Sequence, residues 1–85
     1  MNKIKRQIRN KLKGYYIDFG DGYINIANED GINCEFYGQF DDNFTWLTAT
    51  YTINKKEQEL NYQFGMNNPD ELDLFVSDVK KILKF

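Results

Sequence analysis

Few residues in this 85-residue chain are equipped for chemistry, and histidine is not among them. Its absence removes the usual general base, the commonest metal ligand and any Ser–His or Cys–His pair. Cys34 is the one thiol, so no intramolecular disulfide can form. It alternates in phase with Ile32 and Phe36, which makes it a small buried hydrophobe rather than a nucleophile. Carboxylates gather in two short stretches, Asp18 with Asp21 around Gly20 and Gly22, and Asp41 beside Asp42. Calcium loops need more oxygen ligands at alternating spacing than either stretch offers, so both read as solvated turns. Asp18-Phe19-Gly20 matches a kinase tripeptide by chance, in a chain far too short for that fold. Gly20-Asp21-Gly22 lacks the lysine and following helix of a phosphate loop. Asn43-Phe44-Thr45 is a glycosylation sequon with no secretion signal before it. No catalysis, metal or cofactor is expected.

Charge is more informative than any motif. The net charge is only −2, yet residues 1–13 carry six positives (Lys3, Lys5, Arg6, Arg9, Lys11, Lys13) and no acid. Residues 14–54 carry seven acids (Asp18, Asp21, Glu29, Asp30, Glu35, Asp41, Asp42) and no base at all. A basic segment of this kind could grip phosphates or an anionic membrane, or dock on its own acidic neighbours. No aromatic is interleaved with the bases, which favours the last.

The elements that must position these charges follow from periodicity. Ile4, Ile8 and Leu12 make a narrow apolar stripe on a basic helix over 1–13, closed by Gly14. Lys3 and Lys5 oppose the helix dipole, so its start is expected to fray. Alternation then predicts strands over 15–19, 23–27, 32–40, 44–53 and 58–64, separated by turns at 20–22, 28–31, 41–43 and 54–57. Tyr15, Ile17, Phe19, Ile24, Ile26, Ile32, Cys34 and Phe36 point inward. The stretch 44–53 is the longest strand and belongs in the sheet interior. Its phase shifts at Phe44 and Trp46, which calls for a bulge near Trp46 or cover on both faces. Short turns make sequential strands pair antiparallel in a meander, with one apolar face to be covered.

The cover is a helix over 68–85. Asn68 is placed to N-cap it, Pro69 to open it, and Leu72, Phe75, Val76, Val79, Ile82 and Leu83 form its stripe. Leu74 and Phe85 fall off that stripe, against the sheet edge or a partner. The expected fold class is therefore α+β: an N-terminal helix, a five-stranded antiparallel meander and a C-terminal helix packed on one sheet face. Residues 1–85 are expected to form one domain, soluble because no apolar run approaches the roughly 20 residues of a membrane helix, and cytoplasmic because a lone thiol suits a reducing compartment.

Tyr16, Asp18, Tyr23, Glu35 and Tyr37 share the outward phase, and Glu29, Asp30, Asp41 and Asp42 occupy turns at the sheet ends. Tyrosine supplies contact area and a hydroxyl at low entropy cost, and unrelieved acids attract a basic partner. These nine residues are the candidate partner-binding set. Asn- and Lys-rich composition, size, missing catalytic groups and charge layout resemble those of small phage-encoded antagonists of host defence or transcription, such as anti-CRISPR proteins and DNA mimics. The likeness implies a non-enzymatic inhibitor whose acidic face occludes a basic, nucleic-acid-binding surface of a host protein such as a nuclease or polymerase. Two alternatives are nucleic-acid binding through the basic helix and an immunity or accessory subunit of one protein partner.

Overall fold

The computed structural model describes residues 2–84 and has the expected α+β architecture. In chain order come α1 (Lys3–Lys11), β1 (Tyr16–Gly20), β2 (Tyr23–Ala27), β3 (Asn33–Gln39), β4 (Thr45–Ile53), β5 (Lys56–Phe64) and α2 (Asp70–Ile82). The five strands form one antiparallel sheet in sequence order, a meander. Phe85, paired with Leu74 in the sequence reading, lies outside the described residues. Leu74 itself is exposed on α2.

Both helices cover the same face. Leu72, Phe75, Val76 and Val79 of α2 are buried with Phe36, Leu47, Leu60, Tyr62 and Phe64 of the sheet. Phe75 is central: its ring centroid lies 5.0 Å from Phe36, 5.4 Å from Tyr62 and 6.2 Å from Phe64. Aromatic pairs of this kind add roughly 0.5–1.5 kcal/mol each beyond the area they bury. The Tyr62 hydroxyl also donates to the Asp78 carboxylate. Beside α2, α1 buries Ile4 and Ile8 with Leu12 at its C-cap, and Lys11 pairs with Asp73 at 3.0 Å. The basic start of α1 is held rather than frayed. Asn2 Oδ1 accepts from the Lys5 amide at 2.9 Å, and Asp42 Oδ1 accepts from the Ile4 amide at 3.0 Å. Two donors that a helix start leaves open are thereby satisfied.

Several local expectations fail for identifiable reasons. The β4–β5 turn is Asn54-Lys55 alone, with φ of 54° and 67°, so β5 begins at Lys56. Two positive-φ residues make the I′ geometry, whose twist matches the flanking strands. No bulge resets β4 at Trp46, and its start is not covered twice. Nine consecutive pairs run from Thr45 opposite Phe64 to Ile53 opposite Lys56, and Trp46 stays 40% exposed on the outer side. Ile32 does not point inward. It is 53% exposed, because Asn28 Oδ1 accepts from the amides of Asp30 and Ile32 and keeps Ile32 in the turn. Asn28 is buried and donates through Nδ2 to the Leu83 carbonyl at 3.2 Å, tying the β2–β3 turn to the end of α2. Asn68 does not cap α2. It exchanges two backbone hydrogen bonds with Gly65, while Pro69 takes the N-cap position and Asp70, Glu71 and Asp73 stand at the positive end of the dipole.

At Gly38, β3 and β4 approach so closely that a Cβ would lie 1.8 Å from the Trp46 carbonyl oxygen. Gly38→Ala is expected to destabilise the fold by at least the roughly 1–3 kcal/mol typical of overpacking. A lowered urea midpoint at unchanged slope would show it.

Alkaline stability offers a second check. Burial lifts the Cys34 thiol from 9.0 to about 12, and desolvation with the Asp78 hydrogen bond raises the Tyr62 phenol above its ordinary 10.0. Both groups hold their protons more tightly folded than unfolded. Their contribution is therefore complete below pH 9.0 and is lost as pH climbs through 9.0 and 10.0 toward the raised values. Unfolding free energy is expected to fall above pH 9.0, and Cys34→Ala with Tyr62→Phe to flatten that fall; an unchanged slope in the double variant would contradict it.

Candidate functional site

Alternation and register together fix what the helix-free face presents. From β1 to β5 the acidic and aromatic side chains sent there are Asp18, Glu35, Glu57 and Glu59 with Tyr16, Tyr23, Tyr37 and Trp46. Asn25, Gln39, Asn61, Gln63 and the threonines Thr48, Thr50 and Thr52 fill the positions between them. No strand position on that face is a Lys or Arg. Tyr16 and Tyr37 stand 68% and 57% exposed. Tyr23 is half-buried because its ring lies across Gly20, where a Cβ would come within 1.9 Å of it. Asp18, Asn25 and Glu35 form a cross-strand row, and the Asn25 amide donates to Glu35 at 3.5 Å between the two carboxylates.

The other four acids of the expected set lie off this face. Glu29 and Asp30 are exposed in the β2–β3 turn, and Asp41 and Asp42 occupy the β3–β4 turn at the opposite end of the sheet. Asp42 serves the start of α1. Asp41 Oδ1 accepts from the Asn43 amide at 2.8 Å, and its backbone is clasped by the buried Thr45 hydroxyl. The structure thus gathers Tyr16, Asp18, Tyr23, Glu35 and Tyr37, and separates Glu29 and Asp30 from Asp41 and Asp42.

Sequence reasoning missed a cleft. β3 pairs with β4 over only three positions, Tyr37 opposite Thr48, Gly38 opposite Leu47 and Gln39 opposite Trp46. Beyond Thr48 the strands part, and Tyr51 fills the gap from the core side. Its ring packs on Phe36 with centroids 5.7 Å apart. Its hydroxyl accepts from the Glu35 amide and donates to the Glu35 carbonyl at 3.0 Å. One phenol therefore satisfies both backbone groups that a ladder partner would have taken.

Glu35, Tyr37, Thr48, Thr50, Tyr51 and Glu59 line the resulting cleft, about 540 Å³ in volume. Asn61 donates to Glu59 at 3.0 Å and accepts from the Thr48 hydroxyl at 2.8 Å, so the second carboxylate is also held in place. Hydrogen bonding to Glu35 and its negative charge raise the Tyr37 phenol above the usual tyrosine value. Only the outward phase of Glu59 was available from alternation. The parting of β3 from β4 rests on a contact between residues 35 and 51 that no local pattern signals.

Three of the six basic residues of 1–13, Lys5, Arg9 and Lys11, contact their own chain. Lys5 Nζ stands 5.4 Å from the Phe19 ring and 5.7 Å from Phe40, and Arg9 stands 5.0 Å from Phe19. Arg9 also donates to the Ile17 carbonyl at 3.4 Å, and Lys11 pairs with Asp73. Among the described residues no three His, Cys, Asp or Glu side chains group to hold a metal ion, and no helix is long and apolar enough to cross a membrane. Comparison with protein-family models, curated proteins and solved structures returns no match to this chain.

Tyr51→Phe removes the one hydroxyl serving the Glu35 backbone. It is expected to cost roughly 1–3 kcal/mol, the penalty for unpaired polar groups. Hydrogen exchange at the Glu35 amide should accelerate more than at Tyr37, whose ladder pairing remains; equal protection before and after would contradict this role.

Proposed function

We propose that the protein is a non-enzymatic binding module that lays its helix-free sheet face on a basic surface of another protein, one that the partner uses to hold nucleic acid. The observation that carries this reading is the single sign of that face. Asp18, Glu35, Glu57 and Glu59 share it with exposed Tyr16 and Tyr37, and no strand position there is a Lys or Arg. A one-signed field steers an oppositely charged partner and repels nucleic acid. Exposed tyrosines add contact area at small entropic cost. Carboxylates fixed on a paired sheet stand in for phosphates, so the mechanism is occlusion, with no bond made or broken. Such an action suits a small phage-type inhibitor of a host nuclease or polymerase. The engagement of Lys5, Arg9 and Lys11 within the chain counts against α1 as a nucleic-acid reader.

Affinity capture from a nuclease-treated bacterial lysate tests the reading. A nucleic-acid-binding protein is expected to be retained and to be released by added duplex DNA or by salt. Asp18→Lys with Glu57→Lys should weaken its capture roughly tenfold, about 1.4 kcal/mol. Lys3→Ala with Arg6→Ala should leave capture intact. Loss of capture on nuclease treatment, or dependence on Lys3 and Arg6 instead of the acids, would overturn the proposal.

A further inference from the structure

We infer that the cleft between β3 and β4 receives the guanidinium of an arginine projecting from the partner's basic surface. This inference rests on the face reading above and names the chemistry of its anchor point.

The cleft exists because the strands separate past Thr48, and the separation leaves an opening of about 540 Å³ with Tyr51 as its floor. Its two sides each carry a carboxylate, Glu35 from β3 and Glu59 from β5. Among the described residues neither carboxylate has a cationic partner, whereas the Lys11–Asp73 ion pair lies between the two helices. Both carboxylates are nevertheless held in place by neutral amides, Asn25 on Glu35 and Asn61 on Glu59. A pair of oriented, unneutralised carboxylates flanking an opening is a receptor for a cation.

The remaining lining chooses which cation. Tyr37 offers an exposed ring, and Thr48 and Thr50 lie between the two acids. The Tyr51 hydroxyl already accepts from and donates to the Glu35 backbone, leaving one lone pair free. An ammonium is a compact charge with three donors and would meet one carboxylate at a time. A guanidinium presents five donors in a flat fork, pairs with a carboxylate through two parallel hydrogen bonds and stacks on aromatic rings, so it can grip a carboxylate of the cleft while lying against Tyr37 in the field of the other. The acceptor-rich, aromatic-walled slot therefore fits arginine better than lysine.

The test is an amide-resolved NMR titration of the intact protein with N-acetyl-arginine amide, and with N-acetyl-lysine amide for comparison. Saturable shifts are expected at Glu35, Tyr37, residues 48–51 and Glu59, with lysine about threefold weaker or more. Glu35→Gln and Glu59→Gln should each weaken arginine binding about fivefold, while spectra elsewhere stay native and so exclude misfolding. Shifts spread evenly over Asp18, Glu29, Asp30 and Asp41, absence of saturation, or indifference to both Gln variants would overturn the cleft assignment. The two readings fail separately. Partner capture that depends on Asp18 and Glu57 while arginine does not bind removes the cleft alone. Arginine bound in the cleft while capture ignores Asp18 and Glu57 removes the face reading and leaves the cleft standing.

Discussion

The insertion of Phe75 among Phe36, Tyr62 and Phe64 is the contact on which the rest of the molecule depends. It commits α2 to one side of the sheet. α1 must then follow, because Ile4 and Ile8, with Leu12 at the C-cap, make a stripe too narrow to stand without a neighbour. Two helices on one face mean none on the other. The outer face is left to polar and charged side chains, which is the arrangement an antiparallel sheet tolerates with one side in water.

That freedom carries a cost in like-charge repulsion, and the sheet limits it by interleaving. Asn25 separates Asp18 from Glu35 in the cross-strand row, and Asn61 stands beside Glu59 with an amide donor turned toward it. The open edges are managed with the same economy. Arg9 donates to a carbonyl on the free side of β1, and Glu71 accepts from the Gln63 amide of β5. Side chains from both helices thus occupy backbone groups that another chain could otherwise pair with. The acidic face is left exposed with an unbalanced sign.

How much of this could be read beforehand depended on whether the cause was local. The α2 stripe, the order of the strands and the inward phase of Cys34 and Phe36 follow from short-range periodicity, and the structure has them. The sequence reads as a turn over 54–57, yet the chain reverses within Asn54-Lys55, which puts a lysine at positive φ. Ile32 looked inward because it alternates with Cys34, but the Asn28 side chain captures its amide before the strand begins. Asn28 itself reads as an ordinary turn residue. Its bond to the Leu83 carbonyl spans 55 positions and has no counterpart in any window of sequence. The candidate face divides along the same line: alternation places Asp18, Glu35 and Tyr37 together, while only the chain path shows Asp42 spent on α1.

The cleft belongs to the same chain of cause as the core. Leu60 of β5 is buried in the core and Tyr51 and Ile53 of β4 pack against that core, while β3 keeps its pairing with β4 only as far as Thr48. Phe36, held by Phe75, supplies the surface on which the Tyr51 ring rests, and the Tyr51 hydroxyl then closes the ladder that the departing strand abandoned. Glu35 and Glu59 consequently line an opening whose floor, Tyr51, is placed by aromatic packing inside the protein. The greasy interior and the acidic exterior are thus two ends of one mechanical linkage, with Tyr51 as the piece that passes through the sheet.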